Sequence, residues 1–181
     1  MTNAPDRALL SRPLKVEDIG DVASGEIAVT VAEREAIARM LDLVALDRLV
    51  FTYRLTRGDE GRFRLNGRLA AEVTQTCVVS LDPVAASLDI PVEVDFWPAF
   101  LIDALERSSE EPGHTGLLDW PEAIVDGIID LGPLIYETLA TQLDPYPKRE
   151  GARFEWHDGA PGRQESPPAG PFAALASLKR R

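Results

Sequence analysis

Cysteine is nearly missing: Cys77 is the only one in 181 residues. An internal disulfide and a zinc site built from several cysteines are therefore both excluded. Histidine is almost as scarce, with His114 and His157 alone, and neither can be joined by sequence to Cys77 as the base of a nucleophile. There is no Gly-rich phosphate loop, no metal-binding His pair and no Ser/His/Asp set, so nothing in the chain argues for catalysis, and no cofactor is expected. No apolar run reaches the ~18 residues that a bilayer span needs. The start, Met1-Thr2-Asn3-Ala4-Pro5-Asp6, has no charged region followed by an apolar one, so a cytoplasmic protein without a membrane role is expected. Positive charge is also in deficit, 19 Lys and Arg against 30 Asp and Glu, giving a net charge of −11 that repels bare nucleic acid at long range and attracts basic proteins.

What is present is a 45% hydrophobic composition, enough for the core of one domain, and a clear period of two from Leu49 to Phe100. The first run places Leu49, Phe51, Tyr53 and Leu55 on one face, and Gly58-Asp59-Glu60-Gly61 turns it back. The second carries Phe63, Leu65, Gly67, Leu69, Ala71, Val73 and Cys77 on the same face. After Ser80-Leu81-Asp82-Pro83, the third carries Val84, Ala86, Leu88, Ile90, Val92, Val94 and Phe96. Opposed residues of an antiparallel pair share a face, so their numbers sum to a constant. A sum near 120 pairs Leu55 with Leu65 and Phe51 with Leu69; a sum near 161 pairs Cys77 with Val84, Leu69 with Val92 and Arg68 with Glu93. The second run exceeds the usual strand length, which predicts a bulge, with Gly67 its natural place.

Ahead of this meander, Pro13 to Val16 and Gly25 to Val31 read as strands. Thr30-Val31-Ala32-Glu33 then has capping-box spacing and opens a helix with Ile37, Met40, Leu41 and Val44 on its inner face. Beyond it, about 101–121 reads as a solvated acidic insertion bearing Asp103, Glu106, Glu110 and Glu111, without the ligand spacing of a metal site. Ala123 to Ile129 reads as one more strand. Asp130 caps a helix with Leu131, Leu134, Ile135 and Leu139 inward, which Pro145 and Pro147 end. The spacing thus predicts an α+β domain over 13–147: a twisted antiparallel sheet with two covering helices, after a loose lead-in over 1–12. A flexible linker, 148–170, follows, and 171–181 is an amphipathic docking peptide with Phe172, Leu175 and Leu178 as its apolar anchors.

Arg54, Arg57, Arg62, Arg64 and Arg68 gather on the polar side of the first hairpin and its turn, and Lys179, Arg180 and Arg181 close the chain. Arg offers a planar fork to phosphate oxygens, which makes these the candidate RNA contacts; the competing reading is a charge-paired solvent face. Cys77 reads as a small buried thiol or, alternatively, as the nucleophile of an enzyme.

Three motifs together resemble the YceD-type family, the bacterial large ribosomal RNA subunit accumulation proteins. Cys77-Val78-Val79-Ser80-Leu81-Asp82-Pro83 is similar to that family's Cys-x-x-Cys-Leu-x-Pro turn. Ile129-Asp130-Leu131-Gly132 opens a helix that ends in Leu143-Asp144-Pro145. Pro171-Phe172-Ala173-Ala174-Leu175-Ala176-Ser177-Leu178-Lys179 resembles the closing Asn-Pro-Phe-Ala-x-Leu-x-x-Leu-Lys. The resemblance runs from about Leu14 onward. It departs at Ser80, where many members carry a second cysteine, so a thiol pair is absent; the turn reads as structural, with Pro83 fixing the backbone before the third strand.

The resemblance implies a non-enzymatic factor in large ribosomal subunit biogenesis, supporting accumulation of large-subunit (23S) ribosomal RNA. Its partner is then the rRNA itself or an assembly intermediate, reached in one version through a basic ribosomal protein. The readings from other classes are a Cys77-dependent enzyme and a general acidic protein–protein adaptor without a ribosomal role.

Overall fold

Period-two alternation becomes three long strands in the computed structural model, which describes residues 9–109 and 120–154. In chain order the elements are β1 (Pro13–Lys15), a 3-10 turn (Val16–Asp18), β2 (Val22–Ala28), α1 (Val31–Met40), β3 (Ala45–Arg57), a second 3-10 turn (Asp59–Gly61) and β4 (Phe63–Thr76). There follow β5 (Pro83–Pro98), α2 (Ala99–Ser109), β6 (Glu122–Ile124), β7 (Ile128–Asp130) and α3 (Leu131–Gln142). The main sheet has the order β2-β3-β4-β5-β6, and β1 pairs with β7 in a separate ribbon. The fold is α+β.

One face of the sheet is apolar because the inward positions of β3 and β4 coincide in register: Leu55 faces Leu65 and Phe51 faces Leu69, the sum of 120 expected from the sequence. Phe51, Leu55, Leu65 and Leu69 are wholly buried, and α1 and α3 bring Ile37, Leu131, Ile135 and Leu139 to the same core. Each such side chain contributes about 1.5–3 kcal/mol by leaving water.

Several expectations are corrected. The β4–β5 ladder sums to 159, not 161: Leu69 faces Ile90, Arg68 faces Pro91, and Cys77 lies beyond the last pair, Thr76 with Pro83. Cys77 is withdrawn because its own N–H donates to the Asp82 carbonyl at 2.8 Å, closing the turn one residue earlier. The irregularity falls between Leu46 and Arg48 in β3, whereas Gly67 stays in register. Gly67 is held there by packing, since a Cβ would sit 2.7 Å from the Phe51 ring. The expected inner face of this helix fails at Met40 and Val44, which are exposed, and Ala38 on α1 and Leu43 after it are buried in their stead. The chain reverses at Asp42, which has positive φ, and Leu43 N–H returns to the Ala38 carbonyl.

The supposed acidic loop begins as α2, a third helix beyond the two expected; Phe100, Leu101, Ala104 and Leu105 supply its apolar spacing, while Glu110 and Glu111 lie outside the described residues. The single strand expected over Ala123 to Ile129 is split by Asp126 and Gly127, both of positive φ. Its first half, β6, pairs parallel to β5, so the sheet is mixed. Its second half, β7, takes β1 away from the main sheet. No described helix is long and apolar enough to cross a membrane.

Candidate functional site

The turn between β4 and β5 is organised by a sulfur. Cys77 is fully buried, and its Sγ accepts backbone N–H groups from Val79 at 3.5 Å, Ser80 at 3.4 Å and Arg149 at 3.3 Å. These contacts hold the thiol well below its ordinary range, at about 6, with the Arg149 amide the largest influence, Ser80 next and burial opposing them. Val78 N–H donates to the Pro147 carbonyl at 2.9 Å, and the Arg149 guanidinium meets Asp82 at 2.8 Å. That cation, followed by the Ser80 hydroxyl, keeps the Asp82 carboxyl below its usual value. Pro147 and Arg149, on either side of the expected start of the linker at 148, are thus sewn to the Cys77 turn. Arg149 had no local signal, because its partners are far away in sequence.

Chemically the site is a clasp. Its donors are backbone amides and the Ser80 hydroxyl, its sulfur has no surface, and the described residues include no histidine, His114 and His157 both lying outside them. Ser80, in the place of the second cysteine, accepts from Asp82 N–H at 3.4 Å. Leu81 stands out from the turn with φ of 62°, and Pro83 begins β5. Among the described residues, no group of three or more His, Cys, Asp or Glu could hold a metal ion.

The five arginines divide. Arg54, Arg64 and Arg68 share the open face of the sheet, where Arg64 makes a two-pronged pair with Asp95 at 3.0 and 3.2 Å and Arg68 pairs with Asp89. Asp89 replaces the expected Glu93 because of the shifted register. Arg57 is spent on structure: it donates to the carbonyls of Val16, Ile19 and Gly20 and lies 4.7 Å over the Phe63 ring. Arg62 bonds Glu60 at 2.8 Å and covers Trp97 at 4.2 Å, while its Nε is buried without a partner. Arg57, Arg62, Arg64, Asp95 and Trp97 line one cleft of about 470 Å³. Trp97 was legible as an open-face residue by parity with Asp95, but its contact with Arg62 was not.

Asp130 does more than cap α3. One carboxylate oxygen accepts from Gly132 N–H at 2.9 Å and Arg12 N–H at 2.6 Å, and the other accepts from the Ser11 hydroxyl at 2.7 Å. Leu131 N–H donates to the Arg12 carbonyl, and Gly132 lets this segment pass, since a Cβ there would fall 2.2 Å from the Leu10 carbonyl oxygen. Arg12 in turn pairs with Glu33 at 2.8 Å. Glu33 closes the α1 capping box with Thr30. It is held at about 2 by the Arg12 bond first and by Thr30, against desolvation, and Arg12 is raised by the same bond. Phe172, Leu175, Leu178, Lys179, Arg180 and Arg181 lie outside the described residues.

The site thus sits in a mixed-sheet α+β domain, with a sulfur-centred turn between two long strands and an Asp-Leu-Gly helix start. The chain belongs to the YceD family: the family model described as large ribosomal RNA subunit accumulation protein YceD matches residues 65–179. The match begins inside β4, so β1, β2 and β3 lie ahead of it. The family is one of rRNA-accumulation factors and not a known enzyme family. Neither the curated proteins nor the solved structures gave a match.

Proposed function

We propose that this chain acts without catalysis, in the cytoplasm, by holding a basic ribosomal protein, or an assembly intermediate that displays one, while large-subunit rRNA accumulates. The observation that carries this reading is the interleaving of charge on the open sheet face. Arg64 and Arg68 end on Asp95 and Asp89, and Arg48 lies in register with Glu72. Glu26 and Glu93 stand on the same face and form no ion pair among the described residues. A surface that tracks a phosphate backbone needs uncompensated cations, because displaced counterions supply the affinity. Here Arg64 and Arg68 are already paired, Arg48 and Arg54 form no ion pair among the described residues but share the face with Glu26, Glu72 and Glu93, and the net charge of −11 draws a basic partner instead.

One observation favours direct RNA contact as a second reading: the cleft where Arg62 keeps an unpartnered Nε beside Trp97. There a guanidinium plane could stack with a base and Arg64 could meet a phosphate. A pull-down of the tagged chain across a salt series, with and without nuclease, separates the two. The protein-mediated reading expects a basic ribosomal protein to stay bound after nuclease treatment. Nuclease-resistant, steeply salt-dependent recovery of large-subunit rRNA that is lost in Arg62→Ala would overturn it in favour of RNA contact. Partners unrelated to ribosomes would instead mark a general adaptor.

A further inference from the structure

Among the described residues, the non-glycine positions of positive φ are Asp42, Glu60, Leu81 and Asp126, and Leu81 alone is apolar. Glycine would adopt that backbone without steric cost, and a polar side chain would suit the water that meets it. Leu81 has neither advantage and is 76% exposed. The isolated fold gains nothing from a leucine there. Val78, 53% exposed, comes from the same turn, and Tyr146, 76% exposed, from the segment bonded to it. The three side chains belong to one knot of backbone, because Leu81 N–H bonds the Cys77 carbonyl and Val78 N–H bonds the carbonyl of Pro147, next to Tyr146.

What covers this patch is indicated by where the chain goes next. Having been fastened to the turn at Pro147 and Arg149, it continues into 155–170, which spans up to about 50 Å when extended, ample to return to its starting point. Then come Phe172, Leu175 and Leu178, whose spacing of three would put them on one side of a helix, and the cations Lys179, Arg180 and Arg181. Asp144, exposed beside Tyr146, offers them a counter-charge. The family match spans both the turn and this segment, 65–179. Tethering supplies an effective concentration near the millimolar range, so a contact of three anchors too weak between separate molecules can close within one.

We propose that residues 171–178 dock in cis on the patch formed by Val78, Leu81 and Tyr146. The test uses the full chain with a benzophenone amino acid in place of Ala174, irradiated in dilute solution and mapped by peptide mass spectrometry. The expected result is intramolecular cross-linking to 78–81 and to Tyr146, reduced about tenfold by Leu81→Gly, the loss of one apolar anchor. Leu81→Gly suits the backbone and keeps the fold, which circular dichroism checks; Tyr146→Ser is the second variant and should reduce the same cross-links. Cross-links that form only between copies, that map elsewhere, or that persist unchanged in both variants would overturn the proposal.

Discussion

The backbone N–H of Arg149 donates to the Sγ of Cys77 at 3.3 Å, tying the segment after α3 to the turn before β5. That bond makes the stability of the clasp depend on pH. The folded thiol sits near 6 and the unfolded one near 9, so between these values the unfolded chain carries a proton that the native chain has shed. Stability therefore rises as pH climbs from 6 to 9; the contribution is complete above 9 and lost as pH falls through 6. Urea unfolding at several pH values should show this rise in the native chain and a smaller one in Cys77→Ala. The variant should also lose about 1–3 kcal/mol, because it leaves buried N–H groups unpaired. Equal pH slopes would mean that the thiol remains protonated in the fold. Accumulation of rRNA should survive the substitution wherever the variant is folded.

Asp130 and Gly132 act as one device, the first gripping Ser11 and Arg12 and the second leaving room for Leu10. Gly132→Ala would push a methyl group to 2.2 Å from a backbone oxygen, and backbone cannot rotate aside as a side chain can. Overpacking of this kind typically costs about 1–3 kcal/mol, and here the upper end is expected. Chemical denaturation should show the loss, and hydrogen exchange should show β1 and the amide of Arg12 opening first. A variant as stable as the parent, with Arg12 still protected, would refute the role given to Gly132.

These two devices show what the sequence could and could not reveal. Alternation disclosed β3, β4 and β5 and their shared apolar face, because burial of one sheet face imposes a period of two on every strand. The capping box at Thr30 and Glu33 and the cap at Asp130 were visible because both are local. Invisible were the bonds that join distant segments: Arg12 to Glu33, Arg149 to Cys77, Arg62 over Trp97. No spacing rule encodes such pairs. The two-residue error in the β4–β5 register has a different origin: either sum keeps apolar against apolar, so alternation alone does not choose between them.

Glu33 should make the protein acid-sensitive at an unusually low pH. Its carboxyl is held at about 2, below the ordinary 4.5, chiefly by Arg12. The folded value is depressed, so its contribution is present above 4.5 and is lost as pH falls through 2. In Glu33→Gln, stability at pH 6 should be lower than in the parent and the two curves should converge as pH falls below 2. Thermal unfolding followed over this range checks it. Curves that stay parallel would show that the pair with Arg12 contributes nothing in solution.

Arg64 and Arg68 supply the sharpest separation between the two ways of reaching rRNA. Their pairs with Asp95 and Asp89 are exposed, and exposed pairs are worth about 0–1 kcal/mol, so Arg64→Ala and Arg68→Ala should barely move the unfolding midpoint. Their effect on binding has opposite signs in the two cases. Removing both cations uncovers two carboxylates on the open sheet face, which strengthens attraction to a basic protein at low salt. Removing them from an RNA contact would weaken retention and flatten its salt dependence, by about one unit of slope for each phosphate lost. Retention of ribosomal protein from lysate at a series of salt concentrations, compared between the parent and the double variant, gives the sign. Unchanged or stronger capture fits the acidic surface; weaker capture moves the contact onto the arginines and the rRNA itself.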